Sequence, residues 1–455
     1  MASLTFARSV RSKLINTVSA ASLFAAGEIG LWFEPNDIKT LFQDTAGATP
    51  ITAPGQTVAL MRDKSGNGKH ATQATAAQRP TYGVIPYGGV RNFAIGSGDV
   101  GNATYWTTSS TVNGVTVTRI ASGIDVDGLP YNDWTVSGTC TATSAINLYL
   151  RSQSRLPAIV GSVWTSSVIV KRIAGSAQPF NCGVRAEAYG ETAPSTTNEA
   201  YNGNLVDSTT ETVSTVTATL VNAATNQAAA TVSFRSEIGS TLNATYRIKA
   251  FQFEKGSVRT AFQLSMSKYN VTEPGKATVG ALFTDGIDDG MVTPSIDFSG
   301  TDKMTVWAGV QKLSDAAQAM LLELSTNAGA TPNSFSLQAP GPGTSFRFVS
   351  GGSLTAAGIA DTTGFPAPTA RVLTGIGDIS GDRSTLQVNG TQAAQSTADQ
   401  GTGNYSNNPV YLFRRGGTSL PFNGIFTGLI VRGAQSSASE LSLGNGAINS
   451  NLGAF

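Results

Sequence analysis

One histidine, two cysteines and a scatter of carboxylates are the residues through which this sequence could do chemistry. His70 is the single histidine and lies in the turn Asp63-Lys64-Ser65-Gly66-Asn67-Gly68-Lys69-His70. That excludes His-rich metal sites and leaves one residue for any Ser-His-Asp or Cys-His machinery. Cys140 and Cys182 share no metal-ligand spacing and sit in strand-like runs, so they read as two buried thiols, with a bridge across a sandwich as the alternative. Glycan hydrolysis needs two carboxyl groups about 5–9.5 Å apart. Glu187 and Glu191 stand about 13 Å apart on extended chain, unless a bend at Gly190 shortens the gap. Asp125 and Asp127 stand about 7 Å apart if extended, but Gly128-Leu129-Pro130 after them favours a turn. Glu254 and Glu323 are locally alone. Asp285, Asp288 and Asp289 offer hard oxygens suited to Ca²⁺; hydrogen bonding to backbone amides in a tight turn is the preferred reading.

Binding needs less than catalysis. A sugar ring packs its C–H face on an aromatic side chain and takes hydrogen bonds from flanking amides and carboxylates. Trp106, Tyr131, Asn132 and Trp134, in stretches that read as loops, form the candidate carbohydrate-binding set, against the competing reading that the aromatics pack a core. Trp32, Trp164 and Trp307 lie inside apolar runs and read as core.

The elements that must hold these residues are strands. Fifty glycines, only 13% charged residues and 40% hydrophobic residues suit short strands joined by Gly- and Asn-rich turns. Segments 114–121, 145–152, 162–172, 181–189, 212–221, 228–237 and 244–256 show period-2 or near-continuous β character. A second β series begins near Ala277 and ends in a short helix within 436–448. Strand 57–61 and a short helix capped by Asp37 are expected near the start. At 5–25, Val10, Leu14, Val18 and Ala21 share one helical face, which predicts an amphipathic arm. Polar Asn16, Thr17 and Ser19 interrupt any signal-type apolar core, and no segment is apolar enough to span a bilayer as a helix. A net charge of +1, with no basic cluster, argues against a nucleic-acid partner.

Three pieces of the outer sequence resemble the laminin-G-like, concanavalin A-like jelly roll. These are Leu31-Trp32-Phe33 with the turn ending at His70, then Phe283-Thr284-Asp285-Gly286-Ile287-Asp288-Asp289, then Met304-Thr305-Val306-Trp307-Ala308-Gly309-Val310. Between the first and second, Tyr105-Trp106, 114–118, Asp127-Gly128, 161–171 and 250–260 resemble carbohydrate-binding-module-like domains of phage tail and fibre proteins. The expectation is an all-β chain: a helical arm (1–27), a discontinuous jelly roll (28–91 and 270–455), and an inserted sandwich (92–269). The resemblance implies a non-catalytic bacteriophage virion surface protein of the tail-fibre or receptor-binding type. Its partners would be host surface polysaccharide and, through the arm, other virion proteins, in a homo-oligomer for which the virion analogy favours a trimer. No cofactor is expected, Ca²⁺ being the weaker reading. A head-fibre, decoration or collar role is the alternative, and a polysaccharide depolymerase the weaker one.

Overall fold

A computed structural model describes residues 19–150, 153, 155–176, 180–190, 193–202, 207–354 and 358–455, with backbone alone at 180–190, 193–199, 201 and 235. Among the described residues the fold is all-β apart from short 3₁₀ turns and one α-helix, Ala438–Asn449. That helix begins where a Ser/Glu capping box dictates: Ser437 Oγ accepts from the Glu440 N–H, and the Glu440 carboxylate accepts from the Ser437 N–H.

Strands outside the middle of the chain form two large sheets, beside a two-stranded pairing of Ile296–Asp297 with Asn407–Asn408. Among the described residues, a ten-stranded sheet has Gly30–Phe33, Thr278–Asp285, Lys303–Lys312, Thr369–Asp378 and Asn423–Arg432 near its middle. A nine-stranded sheet runs from Leu41–Phe42 through Met291–Val292, Val410–Leu412, Met320–Leu324 and Ser334–Gln338 to Ile359–Ala360. Leu31, Phe33, Val306, Val310 and Leu429 from the first share one core with Leu322, Leu324, Phe335, Leu337 and Leu412 from the second, which makes the pair a sandwich. The other face of the ten-stranded sheet is covered too. There Trp32, Trp307 and Ile430 pack on Leu23 and Phe24 and on Ile448 of the terminal helix. Burial on both faces explains why Leu31-Trp32-Phe33 is apolar without alternation.

The turn 63–70 staples this arrangement. The Asp63 carboxylate accepts from the N–H groups of Trp32 (2.9 Å), Ser65 (2.9 Å) and Lys69 (2.9 Å), and Asn67 Nδ2 donates to the Glu28 and Gly30 carbonyls. His70 Nδ1 accepts from the Asp63 N–H at 3.1 Å, so the single histidine holds a turn.

Among the described residues, strands between Ser109 and Lys255 pair only with one another. Six of them form one sheet, with Val163–Gly175, Thr241–Lys255 and Pro130–Thr139 inside it. Five form a second sheet around Gln227–Ser236. Trp134, Val136, Trp164 and Tyr246 of the first meet Ile146, Ala230, Val232 and Phe234 of the second in one core. Strand Leu264–Ser267, within the range read as the insert, instead pairs with Asn270–Thr272 at the end of the ten-stranded sheet.

The chain enters and leaves this middle unit through two segments lying side by side. Gln263 Oε1 accepts from the N–H groups of Arg91 (2.6 Å) and Asn92 (3.0 Å). Its Nε2 donates to the Gly89 carbonyl (3.1 Å) and to Glu273 (3.0 Å). Asn92 Nδ2 donates to the carbonyls of Phe251 and Gln263, and Gln311 both accepts from and donates to the backbone of Val90. These amides are buried and answered on every side, as buried polar groups must be.

Several local expectations change. Residues 131–134 lie within strand Pro130–Thr139, not in a loop. The helix after Asp37 is a single 3₁₀ turn, Ile38–Thr40, without a side-chain cap, because Leu41–Phe42 is drawn into the nine-stranded sheet. Strand 57–61 contracts to Leu60–Met61. Of the expected arm, Ala20–Phe24 is a 3₁₀ helix and 5–18 lie outside the described residues. Among the described residues, no helix is long and apolar enough to cross a membrane.

Candidate functional site

The four residues proposed to grip a sugar do not form a platform. Trp106 is 2% exposed; its Nε1–H donates to the Gly96 carbonyl, and its ring meets Tyr149 edge-on at 5.2 Å. Trp134 and Asn132 are 0% exposed, pointing inward from strand Pro130–Thr139 beside the core residue Val136. The reason is register: this strand is paired on both sides, with Val115–Ile124 and Thr241–Lys255, so alternate side chains must enter the core. Tyr131 takes the outer face, where the Arg247 guanidinium lies 3.7 Å from its ring centre and covers it. The carbohydrate-binding assignment of Trp106, Asn132 and Trp134 is therefore corrected to core packing.

That outer face is occupied by charge. Arg247 makes a bidentate pair with Asp133 (2.9 Å each) and reaches Asp125 at 3.1 Å. Lys249 meets Asp127 (2.5 Å), Glu211 (2.5 Å) and Asp125 (3.2 Å). Burial alone would lower the Lys249 pKa, but the bonds to Asp127, Glu211 and Asp125 raise it above its ordinary value. The Val126 N–H, with Lys249 and Arg247, holds Asp125 below the ordinary carboxylate range. Asp125 and Asp127 thus remain ionised and paired, a poor acid–base couple. Glu254 is likewise tied, accepting from Gln252 Nε2 and from Thr260. Cys140 is a buried free thiol. The side chains of Cys182 and Glu187, and all of Glu191, lie outside the described residues.

The cavity best suited to a ligand lies where the middle unit meets the ten-stranded sheet. It encloses about 380 Å³ and is walled by Phe93, Tyr269 and Phe283, with Lys268, Asp285 and Asp289 among its polar groups. Tyr269 and Phe283 meet edge-to-face at 5.4 Å, and Lys268 Nζ lies 4.7 Å from the Tyr269 ring centre. Gly83 makes the floor fit: a Cβ there would fall 2.4 Å from the Phe283 ring and 2.6 Å from the Tyr269 carbonyl oxygen. An apolar wall with a few convergent polar groups is the usual make-up of a small-ligand site.

The carboxylates enter from the turn after strand Thr278–Asp285. Asp285 Oδ1 accepts from the N–H groups of Ile287 (2.8 Å) and Asp288 (3.3 Å), and Asp289 Oδ2 accepts from the Asp285 N–H (2.9 Å). Gly286, at φ +75°, supplies the left-handed residue this turn requires. Burial, then the neighbouring Asp285 charge, pushes the Asp289 carboxyl up to about 7. The Asp285 and Asp289 carboxylates are thus arranged as turn formers, and among the described residues no group of three or more His, Cys, Asp or Glu side chains is placed to hold a metal ion. Reading along the chain singled out the aspartates but missed Phe93, Lys268 and Tyr269. An aromatic in the short link between strands Leu264–Ser267 and Asn270–Thr272 was the available signal.

No family model matches the sequence, and no curated protein matches it. Solved structures are similar to parts of the chain. The CBM40 of the Ruminococcus gnavus IT-sialidase, bound to α2,3-sialyllactose, is 18% identical, covering 31% of this chain and 80% of its own at a TM-score of 0.26. Domain 4 of the Geobacillus stearothermophilus GH43 arabinanase AbnA, in complex with arabinotriose, is 16% identical, covering 36% and 77% at a TM-score of 0.30. The heptameric SAP-like pentraxin of Limulus polyphemus is 8% identical, covering 36% and 80% at a TM-score of 0.30. At these scores the likeness assigns no function to this chain.

Proposed function

We propose that this protein is a non-catalytic glycan-binding component of a bacteriophage particle, of the tail-fibre or receptor-binding type, and that it holds a sugar in the cavity walled by Phe93, Tyr269 and Phe283. One observation carries the binding site: an aromatic floor and hydrogen-bonding carboxylates converge on about 380 Å³, room for one or two sugar rings. The virion-surface location, docking through the arm and a trimeric state rest on the sequence resemblance alone. Multivalent display on a symmetric particle would raise a weak single-site affinity.

The test is a glycan array of the full chain beside Tyr269→Ala and Lys268→Ala. Binding that both substitutions weaken about tenfold or more supports the reading. A folded sample that binds no glycan overturns it in favour of a packing role in a head fibre or collar.

The carboxyl pair supports a second reading. Asp289, pushed up to about 7 beside Asp285, has the proton affinity of a general acid. Both carboxylates are engaged with backbone amides, which favours binding over turnover. Release of reducing ends from a bound polysaccharide, abolished in Asp289→Asn, would establish hydrolysis instead.

A further inference from the structure

The first strands of the nine-stranded sheet keep a groove open on their outer side. Pairing sets Phe42, Leu60, Thr72 and Val292 in one row across four strands, and directly paired residues point to the same face. Their chain neighbours Leu41, Met61, Ala71 and Met291 lie in the sandwich core, so the row faces away from it. Arg62 stands two residues beyond Leu60 and His70 two before Thr72, which brings both to the same side. There they line a groove of about 630 Å³ together with Thr45. Arg62, Thr45, Gly68 and Pro294 are exposed along it, so it is open to solvent.

Every polar side chain lining this groove can donate a hydrogen bond. The Arg62 guanidinium rests on the Phe42 ring, 4.3 Å from its centre, and against Gly47, where a Cβ would fall 2.9 Å from Nη2. It is positioned by those contacts alone: among the described residues it makes no hydrogen bond or ion pair. His70 Nδ1 accepts from the Asp63 N–H, which leaves the proton of the neutral ring on Nε2. Among the described residues nothing binds the Thr45 or Thr72 hydroxyl, and no acidic residue lines the groove. Asp44, next to Thr45, spends its carboxylate on the N–H groups of Ala48 (3.0 Å) and Thr49 (2.6 Å). A positive charge and a set of donors thus face an accessible space in which nothing answers them.

We infer that this groove binds a saccharide through a phosphate or sulfate ester, with the Arg62 fork and the His70 Nε2–H on the ester oxygens and the threonine hydroxyls beside them. A guanidinium matches a tetrahedral oxyanion through two parallel N–H bonds. A bare anion would leave most of the volume empty, whereas Leu60, Val292 and Pro294 offer apolar surface for the C–H face of a sugar. The groove shares no residue with the aromatic cavity and works without it.

The test is calorimetric titration of the full chain with glucose 6-phosphate, glucose 6-sulfate, glucose and inorganic phosphate at matched ionic strength. One ester should bind more tightly than either glucose or inorganic phosphate, and added salt should weaken it. The better ester tells phosphate from sulfate. Arg62→Gln should weaken that binding about tenfold or more. His70→Asn keeps an oxygen for the Asp63 N–H but places no donor where Nε2 stood, and should weaken it as well. Because His70 also holds its turn, Thr72→Val is the companion variant: it keeps the β-branch, loses the hydroxyl, and should lower affinity about threefold at an unchanged melting temperature. Equal binding of an ester by the parent chain, Arg62→Gln and Thr72→Val would overturn the proposal. So would glucose or inorganic phosphate binding as tightly as the better ester, or no binding of either ester.

Discussion

Gly83 carries no functional group, yet the aromatic floor depends on it. Its absent Cβ is what lets Phe283 lie against strand Thr81–Pro86. Gly83→Ala should displace that ring and weaken glycan binding about tenfold while the chain still folds, which titration beside a thermal melt would register. Asp289 offers a pH signature. Its carboxyl, ordinarily near 3.8, is pushed up to about 7 by burial and then by Asp285. Between those values the unfolded chain has released a proton that the folded chain still holds. Stability is therefore complete below about pH 4 and declines as pH rises through 7. Asp289→Asn keeps an oxygen for the Asp285 N–H and carries no charge. It should gain on the order of 1–3 kcal/mol over the parent at pH 8 and nothing at pH 4, measured by urea unfolding.

Strand Pro130–Thr139 shows what a sequence withholds at the scale of an element. Strands such as Thr212–Thr219 announce themselves, because they are rich in β-branched valine and threonine, which suit a half-buried pleat. Tyr131-Asn132-Asp133-Trp134 does not, since Asn and Asp favour turns and both tryptophan readings are open locally. Its strand identity comes from partners on both sides, the adjacent Val115–Ile124 and, more than a hundred residues away, Thr241–Lys255, where Asp133 is opposite Arg247 and Trp134 is opposite Tyr246. The cavity was hidden for the same reason, as Phe93 comes from a segment far along the chain from Tyr269 and Phe283, whereas the turn 63–70 and the Asp285–Asp289 turn were legible as local chemistry. Asn132 is the cost of this strand. Neither atom of its amide has a partner although it is fully buried. Asn132→Leu, close in volume, should stabilise the protein by about 1–2 kcal/mol, read as a rise in melting temperature.

Across the whole molecule, the paired segments at 89–92 and 260–263 decide whether two sandwiches behave as one body. Gln263 alone answers two backbone N–H groups, one carbonyl and Glu273. Gln263→Ala leaves those groups buried and unmet, a loss of about 3 kcal/mol or more. Differential scanning calorimetry should then resolve two transitions where the parent shows one, and a single unshifted transition would contradict the account. The same feature bears on how such a molecule is put together. Because the middle unit leaves the chain where it entered, its two ends meet like the sides of a plug in a socket. Residues 93–262 could be exchanged for another domain with neighbouring termini while both outer sheets keep every strand. A lineage of such proteins could change what it recognises by swapping the plug and keeping the socket.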